Sequence, residues 1–149
     1  MKWTNHFPFF CGVNIERGDE LIYTTYLGFL NKHGGAFKVG EKIGSCFIYY
    51  VARDRGNNEV APSKQLLKHY KNRPVHLTVT EAWPTYAQLY LDEIQTRDSA
   101  IEWMEKRAGE AKIGNILLVC YEKDHTHCHR RLLAEEIARR FGAEYKGEV

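Results

Sequence analysis

Apolar residues along this chain fall into two rhythms. Near-continuous runs occur at Glu20 to Thr25 (ELIYTT), Cys46 to Ala52 (CFIYYVA) and Asn115 to Tyr121 (NILLVCY). The last two carry no charge and are rich in β-branched and aromatic residues, so they predict strands buried on both faces of a parallel sheet. Elsewhere the apolar positions recur at helical spacing. Tyr26 to His33 predicts a short helix stopped by Gly34-Gly35. Pro62 opens a second helix, with Leu66, Leu67 and Tyr70 inward and Lys64, Lys68 and Lys71 outward. Pro84 starts a third, through about Gln95, that buries Tyr86, Leu89, Tyr90 and Ile94. Asp98 is placed to cap a fourth over Ser99 to Arg107, with Glu102 near the capping-box position. The last runs from about Arg131, buries Leu132, Leu133, Ile137 and Phe141, and ends at Gly142. Residues 34–45 read as loop, and Glu144-Tyr145 as a final short strand.

Alternating strands and helices predict an α/β fold: a single three-layer Rossmann-like or flavodoxin-like domain with a mainly parallel sheet and helices on both faces. Its expected extent is residues 1–149. Residues 20–149 form the core, and the aromatic segment 1–19 (Trp3, Phe7, Pro8, Phe9, Phe10, Cys11) is an arm packed back upon it.

Composition narrows the classes. A chain of 149 residues can bury a core without covalent staples, and its 44% hydrophobic content is ordinary for a globular protein. The formal net charge of +2 creates no global field that demands a nucleic-acid partner. No apolar run reaches the roughly 18 residues of a membrane span, and the start lacks a secretory signal pattern. The cysteines, Cys11, Cys46, Cys120 and Cys128, form no C-x-x-C pair. Their low density fits reduced thiols and a cytoplasmic protein.

The candidate chemistry lies between the third strand and the last helix, from Glu122 to Arg130 (EKDHTHCHR). Ligands of α/β proteins sit outside the carboxyl ends of strands, against helix N-termini. Cys128, near such a terminus and beside Arg130 and Arg131, is expected to have a lowered pKa and act as nucleophile or hydrogen-bond donor; its other reading is a small buried cap. Arg130 suits bidentate capture of a phosphate or carboxylate. His129 suits acid–base work, and Glu122 could serve as base or orient the arginine, or simply form a structural ion pair with it. Cys120 reads as core. His125, His127, Cys128 and His129 offer four possible ligands in five residues, but adjacent Cys128 and His129 are not expected to reach one ion, so no metal and no cofactor are assigned. A phosphatase loop fails on the spacing of cysteine to arginine. Ala61 to Thr80 lacks acidic residues and carries Lys64, Lys68, His69, Lys71, Arg73 and His76. That stripe could follow a phosphate backbone, or be a solvated helix face.

The segment CYEKDHTHCHRRLLAEEIA (Cys120 to Ala138) resembles the signature of the domain-of-unknown-function 488 family, whose key positions fall on Cys120, Glu122, Lys123, Cys128, His129 and Arg130. APSKQLLKHYK (Ala61 to Lys71), with Tyr86 and Tyr90 beyond it, is similar to a second family segment. YVAR (Tyr50 to Arg53) and IYTTY (Ile22 to Tyr26) are similar to two of its strands. The resemblance covers about residues 20–142. It implies a Rossmann-like domain, no agreed reaction, and convergence of Arg53, Glu122, Cys128, His129 and Arg130. Two central parallel strands would independently place Arg53 and Glu122 side by side.

The leading expectation is therefore a small protein that binds or acts on an anionic, nucleotide-like ligand where strand 115–121 meets the last helix. Glu122, Cys128 and His129 carry the chemistry, and Arg53, Lys123, Arg130, Tyr86 and Tyr90 bind. An enzyme of this kind would be a hydrolase or transferase. The alternatives are a nucleic-acid module using Lys64, Lys68, Lys71 and Arg73, or a partner-binding domain.

Overall fold

A computed structural model describes residues 21–29, 42–43 and 46–149. Five strands form one sheet: β1 (Leu21–Tyr26), β2 (Lys42–Ile43), β3 (Cys46–Tyr50), β4 (Asn115–Cys120) and β5 (Glu144–Glu148). Their order is β2-β3-β4-β1-β5. Strands β3, β4, β1 and β5 run parallel, and β2 is an antiparallel edge on β3. The helices are α1 (Lys64–Lys71), α2 (Val79–Thr96), α3 (Asp98–Glu110) and α4 (His129–Phe141). The α/β class with a mainly parallel sheet is as the hydrophobic pattern predicts.

All six residues of β4 are buried, which explains the absence of charge from that run. Alternate side chains enter two clusters. Ile22, Tyr49, Ile116 and Leu118 meet all four helices through residues such as Leu66, Tyr90, Met104, Leu133 and Ile137. Tyr23, Ile48, Leu117 and Val119 face the other side, against Leu27, Phe29 and Val149. The N-terminal arm, and most of the helix expected over 26–33, lie outside the described residues. Residues 27–29 of that helix are helical. The loop expected at 34–45 contains, at Lys42–Ile43, the edge strand β2.

Several helix starts differ from expectation, each for a local reason. α1 begins after Pro62 and Ser63, because the Ser63 hydroxyl accepts the Leu66 amide at 3.1 Å. α2 begins at Val79, five residues before Pro84, because Thr78 and Glu81 close a capping box. Pro84 then sits inside the helix. α3 starts at Asp98 itself; Arg97 is the cap and makes no side-chain capping bond. Asp98 instead lies in the first turn, where a carboxylate favours the positive end of the helix dipole. α4 starts at His129, two residues before the predicted Arg131, with Cys128 as extended N-cap. Among the described residues no helix is long and apolar enough to cross a membrane.

Candidate functional site

Parallel β3 and β4 deliver their carboxyl ends together: Tyr50 pairs with Val119, and the Val51 amide donates to the Val119 carbonyl at 2.8 Å. The loop leaving β3 is fastened from three sides. Buried Asn57 donates to the Tyr50 carbonyl at 2.7 Å and accepts the Trp103 indole N–H at 3.0 Å. Tyr90 donates its hydroxyl to the Val60 carbonyl at 2.6 Å, and Arg97 donates to the Glu59 carbonyl at 2.7 Å. Arg53 rides on this loop. Its Nε donates to the Pro62 carbonyl at 3.0 Å, while its terminal nitrogens have no partner among the described residues.

The loop leaving β4 is held differently. Arg130 is fully buried and bridges two elements. It donates to the Glu122 and Lys123 carbonyls and grips both carboxylate oxygens of Glu148, at 3.1 and 2.7 Å. A short 3₁₀ turn, His125–His127, follows Asp124, whose carboxylate accepts the Thr126 amide and lies 2.8 Å from His127 Nδ1. Hydrogen bonds from Thr126 and His127 hold the Asp124 carboxyl at about 2.

Between the two loops lies a cleft of about 550 Å³. Arg53, Glu122, Cys128, His129 and Tyr86 line it, together with Cys120, Tyr70, Lys71, Arg73 and His127. At its floor Cys120, Cys128 and His129 are all buried, with their ligand-capable atoms within 4.8 Å of one another. The His129 ring is oriented by Nε2, which lies 2.7 Å from the Val51 carbonyl and must donate to it. That leaves Nδ1 facing the thiols, 3.9 Å from Cys120 Sγ. The two thiols perturb each other in opposite directions. The contact with Cys128 lowers the Cys120 pKa below the ordinary cysteine value, against the effect of burial. The contact with Cys120 and burial push Cys128 up to about 12.

These positions correct several sequence expectations. The lowered pKa expected of Cys128 at a helix start is not found: the neighbouring Cys120 thiol and burial push it up, and Cys120, read as core, stands beside it at the cleft floor. Cys128 and His129 do converge, because the chain changes from extended at the cap to helical at the next residue, and Cys120 reaches in from the strand end. Arg130 lies outside the cleft lining, with its guanidinium occupied by carbonyls and Glu148; Glu122 meets it through its backbone, not as an ion pair. Lys123 is exposed and also outside the lining. Tyr90 is fully buried, its hydroxyl spent on Val60 and its ring 5.3 Å from the His129 ring. Of the basic stripe, Lys64, Lys68 and Lys71 are exposed, and Lys71 reaches the cleft. Arg73 stacks on Tyr70 at 5.2 Å and donates to the Leu77 carbonyl.

Sequence reasoning missed Tyr70 as a site residue. Its hydroxyl is buried at the cleft without a hydrogen-bond partner among the described residues, and its ring lies 4.3 Å from that of Tyr86. Its helical spacing reads only as an inward position, so no signal in the chain distinguishes it.

The fold and this cleft define an α/β protein that gathers two thiols, an imidazole and a guanidinium at the ends of parallel strands. Residues 52–141 match the family model described as the active DUF488-N3 subclade, DUF488-N3a. That match covers more than half of the chain, and the chain belongs to the DUF488 family, as its cysteine-histidine-arginine signature suggested. No match was found among curated proteins or among solved structures.

Proposed function

We propose that the cleft binds and acts on an anionic, nucleotide-like small molecule. One observation carries this reading. Arg53 is clamped through Nε, yet keeps its terminal nitrogens without partners among the described residues, in a cleft that also holds Glu122 and the thiol–imidazole cluster. A guanidinium held by one edge is pre-organised to receive a phosphate or carboxylate on the other. Lys71 adds positive charge, and the paired rings of Tyr70 and Tyr86 offer a face for a planar group. The unpartnered Tyr70 hydroxyl supplies a further polar contact.

Glu122 is exposed at the cleft and free of side-chain hydrogen bonds among the described residues, so it is the group suited to move a proton. His129, with one nitrogen committed to Val51, positions the thiols. Hydrolysis or group transfer fits this set.

Isothermal titration with a panel of nucleoside mono- and diphosphates tests the proposal. At least one should bind, and Arg53→Ala should weaken it about ten- to a hundred-fold, as expected for losing a charged hydrogen bond of about 1.5–3 kcal/mol. No binding across the panel, or binding indifferent to Arg53→Ala, overturns the reading.

A further inference from the structure

We infer that Cys120, Cys128 and His129 form a binding site for a thiophilic divalent metal ion of the zinc class. The argument begins with the donor set. Two thiols and one imidazole nitrogen are soft to borderline ligands that favour such an ion over magnesium or calcium. In a tetrahedral zinc site the ligand atoms stand roughly 3.5–3.8 Å apart, from metal–sulfur and metal–nitrogen bonds of about 2.3 and 2.0 Å. Here Cys120 Sγ and His129 Nδ1 are already 3.9 Å apart, and no pair of the three ligand atoms exceeds 4.8 Å. Small side-chain rotations would close the set.

The surroundings support this assignment independently. Metal-bound histidines characteristically donate their second ring nitrogen to a carbonyl or carboxylate, which fixes the ring and raises its basicity. His129 makes that bond with its Nε2, 2.7 Å from the Val51 carbonyl, and so holds Nδ1 toward both sulfurs. The three ligands come from separate local structures: a strand end, a helix cap and a first helical turn. Each is buried, yet all line the cleft, so an ion has a path in and the fourth coordination position faces the ligand space. Three protein ligands with one open position is the arrangement of catalytic rather than structural zinc. Binding of one divalent ion converts both thiols to thiolates and releases two protons, so the occupied centre carries no net charge into the buried floor. The ion would stand beside the anion held by Arg53 and could polarise one of its oxygens.

Cobalt(II) is the direct probe, because thiolate ligation gives charge-transfer absorption in the near ultraviolet and a tetrahedral site gives visible bands. Titration of the reduced, metal-free full chain should produce both at one cobalt per chain, and zinc should bleach them. Cys120→Ser and Cys128→Ser should each abolish or strongly shift the charge-transfer band while keeping a native far-ultraviolet circular dichroism spectrum. His127→Ala and His125→Ala should leave the spectrum unchanged, as should Cys11→Ser and Cys46→Ser. Arg53→Ala should also leave it unchanged, which separates this inference from the anion reading. The inference is overturned by absence of the bands in the unmodified chain, by their survival in either serine variant at 120 or 128, or by their loss in the histidine, arginine or other cysteine controls.

Discussion

At the scale of single residues, the floor of the cleft illustrates how one contact sets two opposite acidities. The Cys120 and Cys128 thiols lie within 4.8 Å of each other; their interaction favours one as thiolate and the other as thiol. The two protons leave in separate steps that belong to the pair. In metal-free protein with Cys11 and Cys46 replaced by serine, the ultraviolet thiolate absorbance, taken as a difference from the same chain also lacking Cys120 and Cys128, should therefore show one ionisation below the ordinary cysteine range and a second only near about 12. The difference between that chain and the same chain with Cys128→Ser should locate the upper step, and a single step at the ordinary cysteine value would contradict the geometry. Stability follows with a definite sign. In the interval from the ordinary cysteine value of 9.0 up to about 12, Cys128 keeps its proton in the folded state while the unfolded chain loses it. The unfolded state then binds fewer protons, so this group's contribution to stability falls as pH rises through that interval. The depressed Cys120 acts in the opposite sense, adding stability as pH climbs from its folded value toward the ordinary one.

At the scale of elements, the site depends on how loops are tied to helices. The β3 loop holds Arg53 in place because Asn57 satisfies a strand-end carbonyl and an indole N–H at once. Truncation by Asn57→Ala removes both hydrogen bonds from a buried setting, at a cost of about 1–3 kcal/mol. A urea midpoint shifted down, with weaker nucleotide binding, is the expected result; unchanged stability would remove Asn57 as the loop's fastener. At the far end of α4, Gly142 is left-handed with φ 81°, and a Cβ there would touch nothing within 4 Å. Its role is conformational freedom alone, so the helix stop read from the sequence is confirmed by backbone angle rather than by packing. The helix starts were less legible. The Thr78–Glu81 capping box was present in the chain, but Pro84 drew the reading later, since proline is favoured in a first turn.

At the scale of the whole molecule, Arg130 links parts of the sheet that are distant in sequence. It ties the loop leaving β4 to Glu148 on β5, and Thr24 of β1 donates to the same carboxylate at 2.7 Å. A fully buried guanidinium without its counter-charge is strongly unfavourable, so Glu148→Gln should destabilise the chain by about 3 kcal/mol or more. The loop carrying Glu122 should loosen with it. Equilibrium urea unfolding measures the first effect, and amide hydrogen exchange over residues 121–124 the second; a variant with native stability would show that Arg130 is not the bridge described.

The sequence by itself determined the class of fold and the address of the candidate site. Uncharged apolar runs with strand periodicity, helical stripes between them and a reactive cluster after the last central run are local properties, set by where side chains must be buried. It also placed Arg53 beside Glu122, because parallel strands deliver their ends to one edge, while the family resemblance implied that Cys128 and His129 join them. Only the tertiary structure decided which of these groups face the cleft. Arg130 was claimed by Glu148, a residue on a strand that pairs across the sheet, and Cys120 was turned from core filler into partner of Cys128. Those outcomes depend on distances between segments far apart in the chain, and no periodicity or spacing encodes them.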